Sequence, residues 1–424
     1  MIATPTWERK FERWLEPFLA VWGDKRRLKW APLYLRGLLL PGDRKSIAPI
    51  ASRVAPEDEA QLHHFVADSP WDTAPLEEVL LQQVDELLGG ATAHLIVDDT
   101  ALPKKGEHSV GVAHQYCGAL GKQANCQVLV SLTLARDEVP APIALRLFLT
   151  QSWAQDAVRR KRAKVPESIA YRPKWKIALE EIDHVLSAGV SFGDVLADAG
   201  YGACAEFRRG LSERKLQWAV GILSTQNVYS PDVTTKFPKR GIGQPRKHPV
   251  VSEAPISASK YIETYGRFRK VGWREGTKGK LEGEFAVVRV CPADGAEASM
   301  GVHLPGDAAW LVCERFSNGD RKYYLCSYPA SASIRSIVAA VKARWACEQA
   351  HQQMKEELGL DHFEARSWVG LHHHAVLVMI AFAFLTYLRV HENKSKTHRA
   401  LAPSNASGSA SSVGSAPGCV DSLR

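Results

Sequence analysis

Two short apolar runs that each stop at an aspartate, LIVDD at Leu95–Asp99 and VLADAGYG at Val195–Gly202, constrain the fold of this chain more than anything else in it. A brief apolar run bounded by polar or glycine residues reads as a buried strand, and an acid at its end places a carboxylate at the rim of a sheet. Ahead of the first run the period is helical. Amphipathic stretches at Trp7–Trp22, Leu33–Leu40 and Leu76–Leu88, separated by Pro and Gly breaks, predict a helical and largely self-contained region over residues 1–90. Its early cations, Lys25, Arg26, Arg27, Lys29, Arg44 and Lys45, fit a small DNA-binding module or a solvated helix face equally well.

From His94 the period becomes that of strands, at His94–Val97, Val110–Cys117, Gln127–Ala135 and Ile143–Leu149. A basic connector, RRKRAK at Arg159–Lys164, leads to an amphipathic helix at Lys174–Ala188. A strand at Asp194–Ala197 then ends in Asp198, a helix covers Ala205–Lys215, and Gln217–Ile222 is a further strand. Much later, Ser333–Asp361 reads as one long helix on which Arg344, Glu348, His351 and Lys355 form an outward stripe, with Ala343, Cys347, Ala350 and Met354 on the packed side. On its own that stripe reads better as a solvated salt-bridge face, and the two upstream runs that end in Asp shift the balance. The order of elements predicts an α/β fold of the ribonuclease H-like kind, a mixed sheet with flanking helices, in which Asp98, Asp198 and Glu348 come from three different elements.

The stretch from Leu223 to Ser327 is too long for a loop in such a core, and its alternating runs predict a β-rich insertion. Within it KRGIGQPRKHP, at Lys239–Pro249, is either a charged loop or an arm whose Arg246 and Lys247 lie in a DNA minor groove. The expected division is therefore a helical N-terminal region at 1–90, the first part of the core at 91–223, the insertion at 224–327, a helical completion of the core at 328–392 and a disordered Ser, Ala, Gly and Pro tail at 393–424. The apolar run Ala375–Leu385 is too short to span a bilayer and belongs to a buried helix, so no membrane is expected. The successive His372, His373 and His374 diverge around that helix and cannot chelate one ion together. Eight cysteines without a CxxC pair suit free thiols in a reducing cytoplasm, and the N-terminus has no signal-peptide core. A net charge of +8 leans towards a polyanionic partner without deciding it.

Three carboxylates brought to one end of a sheet can hold two Mg2+ ions, which require oxygen ligands, and such a pair serves phosphodiester chemistry. Arg344 and Lys355 flank Glu348 as a fork donor and a point charge for phosphate. Arg344, three residues, Glu348, six residues, Lys355 is similar to the signature of DDE transposases of bacterial insertion sequences; the full signature carries a Tyr where this chain has Val341. QLHHFVADSPWD at Gln61–Asp72, DDTALPKKG at Asp98–Gly106, HSVGVAHQYCGALGKQANCQV at His108–Val128 and LADAGYG at Leu196–Gly202 together resemble the 701 group of those transposases, over roughly residues 40–390.

The resemblance implies a ribonuclease H-like catalytic core, Mg2+ or Mn2+ as cofactor, and cut-and-paste movement of a DNA element by hydrolysis followed by 3'-hydroxyl attack. Its partners would be double-stranded DNA, at terminal inverted repeats and at a target, with a dimer in the synaptic complex. It implies Asp98, Asp198 and Glu348 as catalytic metal ligands, with Asp99 the fallback for Asp98. Lys104 and Lys105 are candidate phosphate contacts or an exposed turn. Related enzymes stack a flipped base on an insertion-domain aromatic, for which Trp273, in a polar turn, is preferred to Trp310.

Overall fold

Amphipathic helices open the chain: α1 (Thr6–Trp22), α2 (Lys25–Leu39), α3 (Ile47–Val54), α4 (Glu59–Ala67) and α5 (Ala74–Leu88). The computed structural model describes residues 6–237, 249–276, 279–299 and 302–401. Short helices in a single layer each leave an apolar stripe that another element must cover. Here the cover is the last helix of the chain, Trp368–Leu401. Phe11 and Trp14 pack on Phe384, Trp71 stacks on His373 at 3.4 Å, and the Tyr34 hydroxyl lies 2.8 Å from His374 Nδ1. The N-terminal region is therefore not self-contained, because it shares its core with a segment some 300 residues away.

The sheet begins with β1 (His94–Pro103), β2 (Ala113–Cys117), β3 (Lys122–Arg136) and β4 (Val139–Leu147). Helices α6 (Gln151–Gln155), α7 (Ala157–Arg162) and α8 (Lys174–Ser187) lead to β5 (Asp194–Ala197), then α9 (Ala199–Gly202), α10 (Ala205–Glu213) and β6 (Trp218–Ile222). Strand β3 runs antiparallel to β1 and to β4, whereas β5 runs parallel to β1 and β6 parallel to β5. The resulting order β4-β3-β1-β5-β6 is the ribonuclease H-like mixed sheet expected from the element order.

The following segment holds β7 (Asn227–Tyr229), β8 (Thr235–Lys236), β9 (Val250–Val251), β10 (Ile256–Ser257), α11 (Ala258–Tyr265), β11 (Arg269–Gly276), β12 (Gly279–Pro292), β13 (Glu297–Ser299), β14 (Val302–His303), β15 (Ala309–Arg315) and β16 (Arg321–Cys326). These strands are not a detached layer. β16 pairs antiparallel with β6, β15 with β16 and β12 with β15, so one sheet of twelve strands runs from the core through the insertion. Every residue of β6 is buried, and its outer edge would leave backbone groups unpaired without β16.

The helix expected over Ser333–Asp361 is two: α12 (Ile334–Ala343) and α13 (Trp345–Glu356). Between them Arg344 keeps helical angles, but its carbonyl accepts from the Cys347 amide three residues on, at 3.2 Å, and from the Cys347 thiol at 3.1 Å. The turn tightens there and the regular ladder is interrupted. Helix α14 (Trp368–Leu401) continues past Asn393, where the tail was expected, and residues 402–424 lie outside those described. By length and apolarity Trp368–Glu392 could cross a membrane, but 89% of its most apolar window is buried inside the protein.

Candidate active site at the ends of the parallel strands

Strand β1 does not stop at its acids but runs on to Pro103, so Asp98 and Asp99 stand on opposite faces of the sheet. Asp99 faces α8 and α9, where it forms an ion pair with Lys174 and accepts the Tyr201 hydroxyl. Burial raises its pKa against the pull of Lys174 and Tyr201. Asp98 faces α12 and α13. Its Oδ2 accepts from Arg344 Nη1 at 2.6 Å and from the Cys347 thiol at 3.2 Å, while Oδ1 accepts the Asp99 amide at 2.8 Å.

Asp198 follows β5 and caps α9, with Oδ1 accepting the Gly200 and Tyr201 amides at 2.9 and 3.3 Å. It is seated by close packing. A Cβ at Gly202 would stand 2.1 Å from the Gly221 carbonyl oxygen, so glycine lets α9 lie directly on β6. Burial raises the Asp198 pKa, the charge of Asp98 raises it further, Arg344 opposes this, and Asp99 again adds to it. Asp98 and Asp198 thus sit close enough, at the ends of adjacent parallel strands, to repel one another.

Glu348, in the first turn of α13, is the exposed member, with 60% of its side chain open to solvent. The Arg344 guanidinium bridges it to Asp98, holding Glu348 Oε1 with its other nitrogen. His351 departs from the outward stripe: it is buried, its Nε2 lies 2.8 Å from the Ser131 hydroxyl, and burial pushes its pKa down to about 4. Ser131 in turn lies 3.0 Å from the Asp98 carbonyl oxygen, a bond that ties β3 and α13 to the strand carrying the acid.

The structure therefore brings Asp98, Asp198, Arg344 and Glu348 together. Lys104 and Lys355 gather elsewhere, around Asp361 beyond the end of α13. Lys104 Nζ donates to the Phe363 carbonyl at 2.8 Å, which ties its ammonium to the backbone, while Lys105 is exposed. Trp273 lies on β11 rather than in a turn, edge-on to Phe285 with ring centres 5.8 Å apart and with Lys342 Nζ 5.2 Å from its ring. Trp310 donates its indole N–H to the Pro329 carbonyl at 3.1 Å. Arg246 and Lys247 lie outside the described residues. The sequence reading missed Lys174, Tyr201, Ser131 and Cys347; Tyr201 was at hand, three residues after Asp198, but its partner is a hundred residues away.

Hard carboxylate oxygens suit a divalent cation. Among the described residues no three His, Cys, Asp or Glu side chains converge closely enough to hold one, and the reason is visible: the Arg344 guanidinium occupies the space between Asp98 and Glu348. A cation is already accommodated there, and Asp198, its pKa raised by burial and then by its acidic neighbours, has no ion-pair partner among the described residues. The donor set fits a divalent ion once Arg344 gives way.

A ribonuclease H-like sheet with aspartates at the ends of its adjacent parallel strands, faced by a helix bearing a glutamate, defines the class of metal-dependent nucleases. The model of the DDE superfamily endonuclease family matches residues 17–280, and the chain belongs to that family, whose members depend on divalent metal. The match contains Asp98 and Asp198 but stops before Glu348. A probable transposase for insertion sequence element IS701 from Microchaete diplosiphon is 32% identical over 186 residues, which is 44% of this chain and 46% of that protein, so the alignment spans about half of the relative's length. Among solved structures, a piggyBac transposase synaptic complex with hairpin DNA superposes with a TM-score of 0.42 at 10% identity, over 87% of this chain and 66% of the other. The NurA nuclease from Sulfolobus solfataricus gives a TM-score of 0.26 at 8% identity, over 82% and 96% of the two chains. At such scores neither likeness bears on mechanism.

Proposed function

We propose that this chain is a DNA transposase of the 701 group, which cuts an insertion sequence at its terminal inverted repeats and joins it to target DNA. The observation that carries the reading is the gathering of Asp98, Asp198 and Glu348 around Arg344 at the ends of β1 and β5, in a chain similar to a probable insertion-sequence transposase. Asp98, Asp198 and Glu348 would hold Mg2+, or Mn2+ in its place. Asp98 is preferred to Asp99 because Asp99 is already engaged by Lys174 and Tyr201 on the other face. When bound, a pair of such ions supplies activation of the attacking oxygen and stabilisation of the leaving oxygen in an in-line displacement.

The chain's own residues position and neutralise. Arg344, released from Asp98, presents a planar fork to a phosphate oxygen, and Lys355 and Lys105 add point charges further along the same strand. Ser131 and His351 fix α13 relative to β1, so that Glu348 keeps its distance from Asp98. His351 stays neutral above about pH 4 and adds no competing cation to the cluster. The sheet formed by 91–223 and completed by 328–392 is the catalytic core. Residues 1–90 and the insertion at 224–327 contribute DNA contacts, with Trp273, Arg246 and Lys247 as candidates. The assembly that pairs two element ends is a dimer, working on double-stranded DNA in the cytoplasm.

The test is divalent-metal-dependent cutting and joining on a plasmid carrying the ends that flank the gene, with Glu348→Gln alongside. Excised and joined products that require Mg2+ or Mn2+ and vanish in the variant are expected. Cutting without joining would instead make the protein a nuclease, and end binding without cutting a DNA-binding relic.

A further inference from the structure

A cavity of 670 Å3 opens where α3 and α4 of the N-terminal helices meet the end of α7 and the segment that links α13 to α14. Its walls carry Arg44, Arg162, Lys164 and Arg366 against two acids, Asp68 and Glu364. Lys164 is paired with Asp68 at 2.8 Å and Arg366 with Glu364 at 3.2 Å. Arg44 and Arg162 have no acidic partner among the described residues, and both are exposed. Two full positive charges therefore remain uncompensated in one concavity. His63, His108 and His362 add donors around them; the His362 Nδ1 accepts the Lys45 amide at 2.9 Å, which leaves Nε2 as the donor of the neutral ring.

This concavity is coupled to the candidate active site through its wall. The linking segment is held to the chain just after β1 by Lys104, whose ammonium donates to the Phe363 carbonyl at 2.8 Å, and by Ser109, whose hydroxyl donates to the Glu364 carbonyl at 2.8 Å. It also follows directly on α13, which carries Glu348 and Lys355. Along the chain, Lys355 in the last turn of α13 lies between Glu348 and the segment that lines the cavity. The site is roomy and lined by forked donors and imidazoles, with Ile47 and Phe363 as its large apolar side chains. That chemistry suits a run of phosphates, not an apolar ligand.

We propose that this cavity grips the phosphodiester backbone of the terminal-repeat DNA at a distance from the scissile bond, with Arg44 and Arg162 each neutralising one phosphate. The proposal rests on the transposase reading for the identity of the DNA, but its test is separate. Binding of labelled terminal-repeat duplex is measured across a salt series for the full chain, for Arg44→Gln/Arg162→Gln, and for a control, Lys176→Gln/Lys215→Gln, which removes the same charge from exposed positions outside residues 1–90 and the insertion. Each phosphate contact contributes about 0.9 to the slope of log affinity against log salt, so the cavity variant should lose about 1.8 of slope and roughly 60-fold in affinity at 0.1 M salt. The control variant should keep its slope, and Arg44→Lys/Arg162→Lys should restore most of the loss.

An unchanged slope in the cavity variant, or an equal loss in the control variant, overturns the proposal. If the wild type excises and joins DNA while the cavity variant keeps its slope, the cavity fails and the transposase reading stands. If the wild type neither cuts nor joins but the slope still falls by about 1.8, the cavity stands and the transposase reading fails.

Discussion

Replacing Arg344 by Gln tests the proposed exchange of one cation for another between Asp98 and Glu348. The guanidinium bond to Asp98, at 2.6 Å with both side chains less than a quarter exposed, is a charge-assisted contact of about 1.5–3 kcal/mol. Its second bond, to a Glu348 that is 60% exposed, adds about 0.3–0.5 kcal/mol. A divalent ion entering between Asp98 and Glu348 has to displace both, and part of the cost returns as the freed guanidinium is solvated. Arg344→Gln should therefore bind Mn2+ about 10- to 100-fold more tightly than the wild type, since each decade is about 1.4 kcal/mol. The metal-free variant should also melt earlier and regain stability as Mn2+ is added, because Asp98 and Glu348 then repel without a mediator. Calorimetric titration with Mn2+ in the absence of DNA reads the first effect, and thermal unfolding with and without the ion reads the second. An affinity equal to or weaker than that of the wild type would refute the idea that Arg344 stands in the place of the metal.

Asp98→Asn should abolish Mn2+ binding and cutting together, whereas Asp99→Asn should retain Mn2+ binding and lose stability by about 1–3 kcal/mol through the unpaired Lys174, as read by urea unfolding; the reverse pattern would move the first ligand to Asp99. Arg208 is 1% exposed and paired with Asp294 of the insertion, so Arg208→Met alone should cost about 3–5 kcal/mol in unfolding free energy, and adding Asp294→Leu should recover most of it. His374 is fully buried, accepts from Tyr34 and donates to the Gly359 carbonyl, and burial depresses its pKa to about 4. Because the folded value lies below the unfolded one of 6.5, its contribution is complete above pH 6.5 and is lost as the pH falls towards 4. Stability followed by urea titration should drop over that window by roughly 3 kcal/mol more in the wild type than in His374→Gln; parallel profiles would show that this histidine is not the group responsible.

The fold was legible because it is written in local period. Apolar runs of strand length that end at Asp98 and Asp198, a helical first quarter and a long late helix are properties of neighbouring residues, and they put the core strands within a few positions of where they lie. What the sequence reading missed was decided by pairing across the chain. The insertion strands read only as a β-rich insertion because nothing local shows that the outer edge of β6 pairs with β16. His351 shares a helical stripe with Glu348, yet a buried hydroxyl on β3 turns it inward. Lys104 looks like a free cation beside an acid until the carbonyl of Phe363, 259 residues away, takes up its ammonium.

The two aspartates of β1 show the same division most sharply. If the strand ended at them, both would reach the same rim and the choice of ligand would stay open. Since hydrogen bonds to β3 continue from Asp98↔Ser131 through Asp99↔Val130 to Pro103, the pleat sends them to opposite faces. One face offers Asp99 a lysine and a tyrosine that satisfy its charge; the other offers Asp98 a single cation, Arg344, beside the Cys347 thiol. On the reading proposed above, a carboxylate whose cationic partner can leave is the one open to a metal, and this difference in partners, more than the difference in position, is the reason Asp98 is proposed as the ligand.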